Sequence, residues 1–197
     1  MTDDILNLMP VRNGHFILES GYHADIWFDL DSLFVSPQRI APLVTELSHR
    51  LARHQPTAIC GPLDGGAFLA QAVAAELELH FYYTLPSGVS GAKGLFAARY
   101  ELPSGLNQQA RGERFAVVDD VISAGSSVRA TYRELTAAGG AVVVVGALVV
   151  LGTKAGDYFA SLGINVETLA QREFETWTPE ACPLCLRGES LEDPSRS

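Results

Sequence analysis

Apolar positions along the chain change period several times, and each change marks an element. Ile40, Leu43, Val44, Leu47 and Leu51 recur at helical spacing behind Ser36-Pro37, an N-cap with proline at the first helical position. That pattern predicts an amphipathic helix ending near His54. Upstream, His15-Phe-Ile-Leu and Asp25-Ile-Trp-Phe-Asp-Leu read as short strands around Glu19-Ser-Gly-Tyr-His, a joint suited to a hairpin. Beyond His54, strand and helix alternate. A strand over 57–60 runs through a glycine loop into a helix over 67–77, and strands over 80–84 and 96–101 flank a glycine- and serine-containing loop over 86–94. A strand over 114–119 leads to a helix over 126–138 that Gly139-Gly140 ends, and a continuous apolar strand over 141–151 precedes a last one over 163–169. Such alternation predicts an α/β domain: a central parallel sheet of about five strands with helices on both faces. Residues 1–35 form a small N-terminal hood, 36–172 the core, and 173–197 a proline-rich polar arm.

Composition narrows the function. A chain of 197 residues with 47% hydrophobic content can bury a full core as one domain. Its net charge of −9 repels a nucleic-acid backbone, so any bound anion needs a local nest of donors. The absence of a long apolar run, together with an opening Met1-Thr-Asp-Asp that carries acids in place of basic residues, points to a cytoplasmic protein without membrane contact. Of three cysteines, Cys60 sits in an apolar stretch and Cys182 and Cys185 form a C-x-x-C. That pair supplies two ligands where structural zinc needs four, so a metal there requires histidines from elsewhere or from a second subunit. His15 and His23 are read as structural rather than catalytic.

The stretch with the most chemistry is Phe115-Ala-Val-Val-Asp-Asp-Val-Ile-Ser-Ala-Gly-Ser-Ser-Val-Arg, a buried strand that ends in two carboxylates and turns through small residues into a helix. Backbone N–H groups of such a turn converge, the helix dipole adds positive potential, and Ser123, Ser126 and Ser127 offer hydroxyls to a phosphate. Gly125 allows close approach. Asp119 and Asp120 fall where open α/β sheets bind ligands and suit a ribose diol or its metal. Gly61, Gly65 and Gly66 at another strand end would let amides meet a second anion, and the 86–94 loop is flexible enough by composition to close over a substrate.

The run over 117–127 resembles the signature of type I phosphoribosyltransferases. The resemblance extends to the orotate phosphoribosyltransferase family over nearly the whole chain: Gly14-His-Phe-Ile-Leu-Glu-Ser-Gly-Tyr-His-Ala-Asp is similar to its hood motif, Gly61-Pro-Leu-Asp-Gly-Gly to its pyrophosphate loop, Leu95-Phe-Ala-Ala-Arg-Tyr to the end of its mobile loop, and Cys182-Pro-Leu-Cys to the tail of many members. It implies transfer of the phosphoribosyl group of phosphoribosyl pyrophosphate (PRPP) to orotate in pyrimidine nucleotide synthesis, with release of pyrophosphate, by a homodimer. It assigns Asp119 and Asp120 to the ribose hydroxyls, and Ser123, Ala124, Gly125, Ser126 and Ser127 to the 5′-phosphate. Leu63, Asp64 and Gly65 fall to the pyrophosphate, and Trp27, Phe28 and Ser123 to the base. Lys93, Arg99 and Asp120 are the implied catalytic residues. Mg2+ is the implied cofactor, carried by the substrate with Asp119 or Asp120 as its only candidate protein ligands.

Two departures keep alternatives open. The stretch 83–100 offers only Lys93 and Arg99 where the family's loop carries several cations, and Leu151-Gly152 stands where an arginine usually pairs with the orotate carboxylate, leaving Lys154 close by. A transferase for a different base, or a non-catalytic PRPP or nucleotide sensor, shares every other feature.

Overall fold

The computed structural model describes residues 11–28, 31–87 and 96–194. Strands β1 (Val11–Ile17) and β2 (His23–Phe28) pair antiparallel as a separate two-stranded sheet, the expected hood. A short α1 (Asp31–Phe34) leads to α2 (Pro37–Ala52), which buries the predicted stripe Ile40, Val44, Leu47 and Leu51. The core continues through β3 (Ala58–Pro62), α3 (Gly65–Leu77), β4 (His80–Ser87), β5 (Arg99–Glu101), β6 (Arg114–Ile122), α4 (Ser126–Ala137), β7 (Ala141–Leu151), α5 (Lys154–Ser161) and β8 (Asn165–Arg172). In the arm, a single 3-10 turn (Pro179–Ala181) precedes α6 (Pro183–Leu186). Among the described residues, no helix is long and apolar enough to cross a membrane.

The main sheet has the order β5-β4-β3-β6-β7-β8; all pairs are parallel except β4 with β5. Side chains alternate across β6 as the pleat requires. Ala116 and Val118 join the core under α2 and α3, with Leu47, Leu51, Leu69 and Val73, while Phe115 and Val117 join the opposite core under α4 and α5, with Val128, Leu135 and Phe159. Both faces are covered, which accounts for the uninterrupted apolar run of β7. The chain leaves β3 toward β4 on one side and returns to β6 on the other. The strand order therefore reverses between β3 and β6, and a crevice opens at their carboxyl ends.

Three details depart from the sequence reading. Among the described residues the sheet has six strands, because an antiparallel edge strand joins the five parallel ones. The strand expected over 96–101 is only Arg99–Glu101: Phe96 takes a left-handed backbone with φ 57° and donates its N–H to Ser20 O in the hood at 3.0 Å. Helix α5 was not expected, since it buries only Ala155 and Phe159, one turn apart, too little for a pattern to emerge.

Candidate functional site

The crevice holds a cleft of about 260 Å3 walled by three segments. The floor is the end of β6 and the turn into α4: Asp120, Val121, Ile122, Ser123, Gly125, Ser126 and Ser127. The hood supplies Leu18, Glu19, Ser20, Ile26, Trp27 and Phe28, and Leu151 with Phe174 closes the far side. Phe28 and Phe174 meet edge to face with centroids 6.3 Å apart, so one wall is aromatic and the opposite one lined with hydroxyls and amides.

Gly125 makes the turn possible. It caps α4 with φ 81°, a conformation that side chains resist, and it starts the helix directly at Ser126. The first N–H groups of a twelve-residue helix are thereby presented to the cleft. Ser126 Oγ is buried and has no hydrogen-bonding partner. A buried hydroxyl aimed into a cleft without a partner is completed by a ligand, and a phosphate oxygen suits it.

The two carboxylates differ. Asp120 lines the cleft, with Val121 N–H donating to its Oδ1 at 2.7 Å. Asp119 lies behind it, 7% exposed, and accepts from Ser127 Oγ at 2.7 Å and from the Asp120 N–H at 3.1 Å. Burial first, and the Asp120 carboxylate second, push the Asp119 carboxyl well above the usual carboxylate range, an effect the Ser127 hydroxyl partly offsets. A carboxyl with a raised folded-state pKa favours the fold at low pH and loses that contribution as pH rises through the raised value. Asp119→Asn is therefore expected to raise the Tm of the ligand-free protein at neutral pH. The gain should vanish as the medium is acidified below the ordinary carboxylate range. Calorimetry across pH checks this, and a Tm lowered at neutral pH would refute it.

The glycine loop after β3 meets this turn at close quarters. A Cβ on Gly65 would overlap the Asp120 carboxylate, and one on Gly66 would stand 2.6 Å from Asp119 Oδ1. The Leu63–Asp64 peptide is cis, and Asp64 occupies the N-cap position of α3. Two loops distant in sequence thus form one continuous polar rim in which only backbone fits between them.

Most of the residues singled out in the sequence converge here. Trp27, Phe28, Asp120, Ser123, Gly125, Ser126 and Ser127 line the cleft, Asp119 supports it, and Gly65 stands against Asp120; Leu63 and Asp64, which precede it in the loop, are not among the lining residues. Ala124 faces an adjoining cavity of about 300 Å3, whose lining includes Gly152, Lys154, Glu173 and Thr176. Arg99 is not among the lining residues: it is exposed on β5, whose alternation turns Tyr100 inward instead. Lys93 lies outside the described residues.

Sequence reasoning missed several contributors. Tyr100, its phenol pushed up by burial and then by Glu19, donates to Glu19 Oε1 at 2.6 Å, tying β5 to the hood. The Arg129 guanidinium lies between the rings of Phe96 at 4.2 Å and Tyr158 at 4.1 Å and donates to Lys154 O at 2.8 Å. Lys154 Nζ donates to Thr176 Oγ1 at 2.6 Å and sits 4.8 Å from the centroid of Tyr22. These contacts join segments too far apart in sequence for any spacing to reveal.

Comparison with known proteins agrees with this arrangement. The model of the phosphoribosyl transferase domain matches residues 34–177. The chain is similar to the orotate phosphoribosyltransferase of Pelotomaculum thermopropionicum, 33% identical over 89% of this chain and 85% of the relative. It is also similar to that of Thermotoga maritima, 31% identical over 93% and 91%. Among solved structures, orotate phosphoribosyltransferase from Aeropyrum pernix superposes with a TM-score of 0.62 at 24% identity, over 82% of this chain and 87% of that one.

Proposed function

Because the chain belongs to the phosphoribosyltransferase family, we propose that it transfers the phosphoribosyl group of PRPP to orotate, releasing pyrophosphate. The observation that carries this reading is the meeting of the Asp119–Ser127 turn with the Gly61–Gly66 loop at the sheet's switch point, beneath an aromatic hood. Two backbone turns that meet across the Asp120 carboxylate suit a molecule bearing a phosphate on one side of a ribose and a pyrophosphate on the other.

In this reading the α4 N-terminus, with the backbone N–H of Ser127, and the Ser123 and Ser126 hydroxyls hold the 5′-phosphate, while the Ser127 hydroxyl stays on Asp119 and Asp120 accepts from the ribose hydroxyls. The backbone of Leu63, Asp64 and Gly65 receives the pyrophosphate. The base lies against Trp27 and Phe28, where Phe174 and Leu151 exclude water. A ring nitrogen of the base attacks the sugar C1 as the bond to pyrophosphate breaks, through a transition state with oxocarbenium character, and the proton of that ring nitrogen leaves to water or the departing pyrophosphate. Fixed dipoles aimed at the departing oxygens lower that barrier, and binding in register supplies the rest.

The hard oxygen donors of Asp120, with the sugar and pyrophosphate oxygens, fit Mg2+, which when bound neutralises charge on the leaving group. Lys154, at the mouth of the cavity that adjoins the base side, supplies the cation for the orotate carboxylate in place of an arginine at Gly152.

The test is pyrophosphate release from PRPP and Mg2+ with orotate, uracil, adenine, guanine and hypoxanthine in parallel. Turnover with orotate is expected. Lys154→Ala should raise the KM for orotate by roughly tenfold, equivalent to about 1.4 kcal/mol, with kcat little changed. Turnover with another base alone would reassign the acceptor. Binding of PRPP without turnover of any base would make the protein a sensor.

A further inference from the structure

The arm returns Cys182 and Cys185 to the hood, where they meet two histidines. His15 Nε2 lies 3.1 Å from His23 Nδ1, 3.5 Å from Cys182 Sγ and 3.6 Å from Cys185 Sγ, and Cys185 Sγ lies 3.3 Å from His23 Nδ1. All four donor atoms fall within 4.8 Å of one another. We propose that His15, His23, Cys182 and Cys185 form a tetrahedral structural zinc site that clamps the C-terminal arm to the hood. This site is separate from the cleft and does not rest on the reading of its substrate.

Distance is the first argument. Zinc bonds of about 2.0–2.1 Å to nitrogen and 2.3 Å to sulfur at tetrahedral angles put nitrogens about 3.3 Å apart and nitrogen and sulfur about 3.5 Å apart. The nitrogen–nitrogen separation of 3.1 Å and the three nitrogen–sulfur separations of 3.3, 3.5 and 3.6 Å lie close to those figures, and all four donor atoms stay within 4.8 Å of one another. Hydrogen-bond counting is the second. His15 Nδ1 lies 3.0 Å from Glu189 O, and a carbonyl only accepts, so Nδ1 carries the proton and Nε2 is left with a lone pair. Three heavy atoms crowd that one lone pair, whereas a single proton could satisfy only one of them. A cation at the centre satisfies all four donors at once.

The ligand chemistry selects the ion. Two thiolates and two imidazoles in a closed tetrahedron suit Zn2+, and with no position left for water the site is structural rather than catalytic. His15, His23 and Cys182 are buried, at 3%, 3% and 0% exposure, while Cys185 is exposed and offers the entry path. The backbone around the site is equally specific. His23 and Trp177 exchange N–H···O bonds at 2.8 and 3.0 Å, Glu192 N–H donates to His15 O at 2.8 Å, and Ile17 N–H donates to Glu192 O at 2.9 Å. Strand β2 carries His23 at one end and Trp27 and Phe28 at the other, so the clamp fixes the strand that forms the aromatic wall of the cleft.

The experiment uses the full chain, purified without chelators and dialysed against Mg2+. Elemental analysis should find one zinc per chain. Replacement by Co2+ should give thiolate-to-cobalt charge-transfer bands in the near ultraviolet and the intense visible d–d bands of tetrahedral coordination. Cys185→Ser, at an exposed position, should lose the charge-transfer intensity in part and release zinc to a colorimetric chelator, while Cys60→Ala should not. Stripping zinc from the wild-type chain should lower Tm and expose the arm to protease. The proposal is overturned if the wild-type chain titrated with Zn2+ or Co2+ takes up no stoichiometric ion, if the cobalt spectrum is octahedral, or if Cys185→Ser holds metal as the wild type does.

Discussion

Asp120→Asn is expected to lower kcat/KM for PRPP by about 10²-fold while leaving Tm little changed, because a hydrogen bond to a charged acceptor is worth roughly 1.5–3 kcal/mol and the proposed binding mode directs two ribose hydroxyls to this carboxylate. The fold should tolerate the change. Asparagine Oδ1 can still accept from the Val121 N–H, now at 2.7 Å, and the volume is conserved. The contrast with Asp119→Asn is informative, since that neighbour is buried behind the cleft and bonded to Ser127 rather than to a ligand. Steady-state kinetics beside calorimetry separates the two. Wild-type kcat/KM in Asp120→Asn would remove this carboxylate from the site.

Among the described glycines, Gly61→Ala should be the most destabilising substitution. Every residue of β3 is buried, and a Cβ on Gly61 would overlap the backbone carbonyl of Gly66 in the first turn of α3. Main chain cannot swing aside as a side chain does, so the helix must lift from the sheet at a cost of about 3 kcal/mol. In a domain of this size that lowers Tm by roughly 6–12 °C. Lifting α3 also withdraws Gly65 from Asp120, so affinity for PRPP should fall along with stability. Thermal unfolding checks the first part and calorimetric titration the second; a Tm within about 2 °C of wild type would show that the close approach is not needed.

How much of this could be read in the sequence depended on how local each feature is. The amphipathic stripe of α2, the two-sided burial of β7 and the strand–turn–helix at 117–127 each lie within one short window, and each was legible from period and residue type. The turn over 123–127 was clear because its small residues, Gly125 above all, are what the local backbone requires. Arg99 shows the limit. On a strand of three residues, whether a side chain faces the cleft depends on register, and pairing with Ser87 turns Arg99 outward and Tyr100 toward Glu19. The tail's two cysteines were recognisable as half a metal site, but the histidines that complete it stand at the other end of the chain, and only the folded hood brings them together.

The same hood has a consequence for the order in which the molecule comes into being. His15 and the Glu189 carbonyl it meets are 174 residues apart. At synthesis rates of about 5–20 residues per second, the first hood strand waits roughly 10 to 35 s for the arm segment that it meets to emerge. Strands β3 to β8 are all available before then, so the sheet can close around its glycine loop while β1 and β2 are still unsecured. The two loops proposed to hold the phosphates are complete early in the life of a nascent chain and the aromatic wall is complete last. If the proposed binding mode holds, a ribosome-bound chain ending before residue 177 would take up the sugar phosphates without a finished seat for the base.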